Sequence, residues 1–91
     1  MVFRQVNVGT VAVQVVPYNP KRTCLSIMNN GDAKVYVSQD PQKILQEGFP
    51  LDPGRYISLI KALGDDPTIE IWAQAETGTQ DVRIEEEFGG K

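Results

Sequence analysis

Apolar and polar residues alternate along most of this chain at a period of two, the spacing that turns one face of a β-strand inward. In TVAVQVV the valines 11, 13 and 15 share a face. In TCLSIMN, Leu25 and Ile27 face one way and Cys24, Ser26 and Met28 the other. AKVYVS sets Val35 and Val37 against Lys34, Tyr36 and Ser38, and RYISLIK sets Ile57 and Leu59 against Tyr56, Ser58 and Ile60. TIEIWAQA and QDVRIEEE continue the pattern, with Ile69, Ile71 and Ala73, then Val82 and Ile84, on the aliphatic side. The opening VFRQVNV alternates more weakly, so residues 1–9 read as either an arm or a first strand.

Turn chemistry separates these runs. Asn19-Pro20, Asp40-Pro41, Asp52-Pro53 and Asp66-Pro67 each push the residue before proline out of the helical region. Asn30-Gly31 predicts a tight hairpin joining 23–29 to 33–38, because both residues accept positive φ. Pro53-Gly54 suits the middle of a type II turn. PQKILQEG can form one helical turn, with Asp40 as its cap and Gly48 as its stop. Short strands at this spacing, with no long helix, predict an all-β fold. It is a small antiparallel β-sandwich of six to eight strands or a partly open barrel, jelly-roll- or Ig-like in size. Residues 1–91 form one domain, with a frayed tail at 87–91.

Composition narrows the chemistry. The 91 residues include one cysteine and no histidine. An internal disulfide, a Cys/His metal cluster and any imidazole mechanism are therefore excluded. A net charge of -3 and pI near 4.8, with scattered Lys and Arg, argue against a nucleic-acid binder. No apolar run approaches the roughly 18 residues of a membrane helix, and MVFRQVNV lacks a signal-peptide core. These features predict a soluble protein made in a cytoplasm, without membrane contact.

Individual residues add little catalytic promise. Cys24 follows Lys21 and Arg22, and nearby positive charge lowers a thiol pKa. With no histidine to act as base, its alternation with Ser26 and Met28 reads instead as a small hydrophobe in a strand wall. Trimming it to alanine would then remove a small core group. Asp65, Asp66, Asp81 and the 85–87 Glu run lack the spacing of a calcium loop. They read as a solvated turn and a charged final strand or tail that discourages edge pairing. A carboxylate pair for glycoside hydrolysis would need a cleft that short loops do not provide. Arg22 is a candidate structural salt bridge. Tyr36, Tyr56 and Trp72 fall opposite the aliphatic faces and are candidate interface residues, as is Tyr18 more loosely. Either those rings meet a partner, or the 39–54 loop or the N-terminus covers them.

The order of features resembles a class of small virion proteins of tailed bacteriophages. Their plan has an NPxR opening, an LxIxNNG hairpin, a (G)xPLxPG turn, an IxxWA strand and a VRIxE end. Here these fall at Asn19–Arg22, Leu25–Gly31, Gly48–Gly54, Ile69–Ala73 and Val82–Glu86, so the likeness spans about residues 10 to 86. The resemblance implies a β-sandwich accessory part of a virion, commonly a capsid decoration or cement subunit, or a small head or tail component. It carries no catalytic, metal-binding or cofactor-binding residue across. The partners implied are the major capsid protein or other virion proteins, with self-association, and the place implied is the virion. The alternative is a carbohydrate- or receptor-binding β-sandwich module using Trp72 and the tyrosines.

Overall fold

The computed structural model describes residues 1–89. Eight strands carry the alternating runs: β1 (Val2–Val8), β2 (Val13–Val16), β3 (Arg22–Asn29), β4 (Val35–Ser38), β5 (Phe49–Leu51), β6 (Tyr56–Ile60), β7 (Ile71–Ala75) and β8 (Gln80–Phe88). A four-residue helix, α1 (Ile44–Glu47), precedes β5, and a 3-10 turn (Lys61–Leu63) follows β6. The strands form two antiparallel sheets, ordered β1-β8-β3-β6 and β2-β7-β4-β5. First pairs with last, second with seventh, third with sixth and fourth with fifth. The chain is thus a ribbon folded at its middle and wound between two sheets, which is the jelly-roll form of a β-sandwich. Neither sheet closes into a barrel.

The aliphatic faces meet between the sheets. Leu25, Ile27, Val82 and Ile84 of the first sheet pack against Val35, Val37, Ile71, Ala73 and Ala75 of the second. Each buried Leu, Ile or Val stabilises the fold by about 1.5–3 kcal/mol. A one-residue slip would turn a whole set to solvent, so the period-two pattern also fixes the register.

Several local expectations fail for identifiable reasons. Asn30-Gly31 closes no hairpin: β3 is already paired on both edges, by β8 and β6, and β4 lies in the opposite sheet. The NNGD segment instead carries the chain across the sandwich. Asn29 Oδ1 accepts from the Gly31 amide at 2.9 Å, and its Nδ2 donates to Ala33 O and Leu51 O, each at 2.8 Å. Gln80 Oε1 accepts from the Asp32 and Ala33 amides. Neither Asn30 nor Gly31 takes positive φ. Glycine is needed at 31 because a Cβ there would collide with Gln80 Oε1.

Asp40 does not cap α1. Lys43 holds the N-cap in the left-handed region at φ 58°, while Asp40 Oδ1 accepts from the Gln42 amide. Gly48 does end the helix, its amide donating to Ile44 O. Pro53-Gly54 forms the expected turn: Gly54 has φ 84°, and the Arg55 amide donates to Asp52 O at 2.9 Å. Val11 lies outside any strand and is exposed, whereas a bulge at Val15 buries both Val15 and Val16. Residues 87 and 88 belong to β8 rather than to a frayed tail, and 90 and 91 lie outside the described residues. β8 is an inner strand, so its glutamates guard no sheet edge.

Candidate functional site

Alternation gives each sheet an outer face, and the registers align its residues in rows. On the first sheet, Gln5, Arg83, Met28 and Tyr56 form one row, and Phe3, Glu85, Ser26 and Ser58 the next. Phe3 is 72% exposed and Tyr56 65%, so the face has an aromatic ring on each flank. Between them runs an open groove of about 590 Å³, floored by Met28, Ser26, Arg83 and Glu85. The Ser26 and Ser58 hydroxyls are hydrogen-bonded to each other at 2.8 Å. Arg83 is steadied by Asp81, with Nε 2.9 Å from Oδ1 and Nη2 2.9 Å from Oδ2. Those bonds from Arg83, then one from Asn30, hold the Asp81 carboxyl well below the usual carboxylate range. The groove thus sets an Asp81-paired guanidinium and the Glu85 carboxylate beside apolar surface.

The second sheet's outer face differs. Trp72 lies between Gln14 and Ser38, and Tyr36 between Gln74 and Pro50. Both rings are half-buried. The indole N–H donates to Glu70 Oε2 at 3.0 Å, and the Gln14 amide donates to the same oxygen at 2.9 Å. The 39–54 segment is drawn to this sheet: β5 pairs with β4, and α1 sits beside β4 and β7 with Ile44 buried.

The three candidate interface rings therefore do not share a face. Tyr36 and Trp72 lie on one side of the sandwich and Tyr56 on the other. For these rings alternation told inward from outward correctly, but not which sheet each strand would join. Phe3, Met28 and Arg83 complete the exposed face, and only the pairing of the first strand with the last places them together. Tyr18 is exposed in the β2–β3 connection.

Arg22 forms its salt bridge, in the interior. It is 1% exposed, and its Nε donates to Glu86 Oε2 at 2.8 Å. Its other donors reach Pro67 O, Ile69 O and Pro17 O. Arg4 Nε donates to Glu86 Oε1, also at 2.8 Å, so one buried carboxylate joins two guanidinium groups. This network ties β1, β3 and β8 to the loops on either side, and every Glu86 oxygen is occupied. The signal for it was present: Glu86 shares its parity with Val82 and Ile84.

Cys24 is half-buried on the outer face, opposite Ile60 and Glu87, and is not a core group. Arg22 turns away from it. Burial, then Glu87 and Glu85, push the thiol pKa above its ordinary value. Native Cys24 should therefore alkylate more slowly at pH 7 than the same thiol in the urea-unfolded chain, with the rate rising only in alkaline solution. Cys24→Ala should change stability by less than about 1 kcal/mol. Faster alkylation of the folded protein would contradict this assignment.

Scans against protein-family models, curated proteins and solved structures returned no match.

Among the described residues no group of three or more His, Cys, Asp or Glu side chains is arranged to hold a metal ion. Among the same residues, no helix is long and apolar enough to cross a membrane. The outer face of the first sheet presents two exposed rings, a thioether, the Asp81-paired Arg83 guanidinium and the Glu85 carboxylate.

Proposed function

We propose that this chain is a non-enzymatic structural protein of a bacteriophage virion, a capsid decoration subunit that acts by occupying a site on the particle. The carrying observation is the outer face of the first sheet, where Phe3 and Tyr56 stand exposed around a groove that mixes apolar surface with Ser26, Arg83 and Glu85 and has no cover from the described chain. Exposed apolar patches of this kind mark interaction surfaces. The ordered sequence resemblance supports the same reading, and jelly rolls serve in capsids as well as lectins. A patch of about 800 Å² per partner would use roughly one-seventh of the 5432 Å² surface. One such contact is modest, and many copies bridging neighbouring capsid subunits resist internal pressure through multivalency.

The test adds purified protein to particles lacking it and counts bound copies. Wild type should bind in hundreds of copies. Tyr56→Glu should fold normally and bind far fewer, because an unpaired charge would be desolvated at the contact. Equal occupancy by a folded Tyr56→Glu protein removes this face from the contact, and no binding by wild type removes the decoration reading. A carbohydrate- or receptor-binding module is the rival, and it would use the second sheet, where Trp72 lies beside Gln14. That rival predicts glycan retention abolished by Trp72→Ala and unaffected by Tyr56→Glu.

A further inference from the structure

The two sheets have four outer edges, and three carry a feature that discourages strand addition. β5 has three residues, one of them Pro50. β2 has four residues and a bulge, and its Val15 carbonyl is taken by Arg4 Nη2 at 3.1 Å. At the end of β6, Asp65 bonds both the amide and the carbonyl of Ile60. β1 is the least guarded: its one such device, the inward-pointing Arg4, is neutralised by Glu86, and its seven residues run in unbroken register with β8, without proline, lysine or bulge. Among the described residues, no backbone or side-chain group bonds its outer edge.

We infer that β1 pairs antiparallel with β1 of a second copy of this chain, about a two-fold axis through Gln5, joining two four-stranded sheets into one of eight. The strand is complementary to itself in this register. Gln5 faces Gln5, and although its Nε2 donates to Asn7 Oδ1 within β1, its oxygen is left to accept from the second copy; Phe3 faces Asn7, and Val2 faces Val8. The one charge in β1, Arg4, points inward to Glu86 and lies opposite Val6 of the second copy. Keeping both cores on the same side requires the axis to pass through a residue, and only Gln5 pairs all seven. Moving it to Arg4 would shorten the ladder and set two guanidinium groups against each other. Because the axis is perpendicular to the sheet, the outer faces of the two first sheets become continuous. A two-fold contact of this kind is closed, so assembly stops at the dimer. This inference goes beyond the virion reading and does not depend on it.

Sedimentation equilibrium of the untagged chain, over a micromolar concentration series, should show twice the 10.1 kDa chain mass. Gln5 is exposed, so Gln5→Glu and Gln5→Lys should each fold and each halve the observed mass, since like charges then meet at the axis. Mixing the two variants should restore the dimer. Should either variant fail to fold, Gln5→Cys in a Cys24→Ser background decides by forming a covalent dimer under mild oxidation. A monomeric wild type at every concentration overturns the proposal. So does a dimer indifferent to both charge variants, which would place the contact on another surface, and so does a mixture that stays monomeric.

Discussion

Glu86→Ala is expected to lower stability by about 3–5 kcal/mol, a large part of the roughly 5–15 kcal/mol of a domain. The reason is the cation left behind. Arg22 is 1% exposed, and without Glu86 its charge keeps only the carbonyls of Pro17, Pro67 and Ile69. Arg4 has 36% of its side chain exposed and can turn to water, so its loss should matter much less. In urea denaturation the order of loss should be Glu86→Ala, then Glu86→Gln, which keeps one acceptor, then Arg4→Ala. Replacing the inner pair together, by Arg22→Met with Glu86→Leu, should recover part of the loss because no buried charge remains. Equal, small effects of Glu86→Ala and Arg4→Ala would show that the carboxylate does not anchor Arg22.

Asn29→Ala is expected to lower stability by about 2–4 kcal/mol, since each buried polar group left without a partner costs about 1–3 kcal/mol. Asn29 is fully buried and holds three backbone groups: the Gly31 amide, the Ala33 carbonyl and the Leu51 carbonyl. Asn29→Asp tests the direction of these bonds, because a carboxylate cannot donate to two carbonyls. It should be at least as damaging at pH 7 despite its matching shape. Thermal unfolding of the two variants would settle the comparison, and a mild effect of both would mean that the crossing loop is held by Gln80 instead.

These two side chains mark where the sequence was readable and where it was not. Strand existence and facing were legible because burial is periodic: Leu25, Ile27, Val35, Val37, Ile71, Ala73, Val82 and Ile84 all point inward as their spacing predicts. Partners were less legible. Asn30-Gly31 has the local chemistry of a hairpin, yet the order of strands is decided by contacts between the ends of the chain and by Asn29 and Gln80, whose bonds are not local. β5 is too short to show a period, and Pro50 hides it further. The Glu run read as a charged final strand or tail, and it does lie in the final strand, but three acidic residues in a row look alike and only Glu86 has the inward parity. The candidate rings were placed outward correctly and then divided between opposite faces, since a period of two separates inside from outside but says nothing of left and right.

The winding of the ribbon also sets an order in time. The pair β4 and β5 closes the shortest loop, β3 with β6 the next, and β1 with β8 the longest, spanning nearly the whole chain. Topologies dominated by such distant pairings fold in milliseconds to seconds, slowly for their size. The outermost turn of the ribbon closes the longest loop and so carries the largest entropic cost of closure. In a chain whose first strand also offers its free edge to a neighbour, the completion of the monomer and its capture by a second copy compete for the same moment.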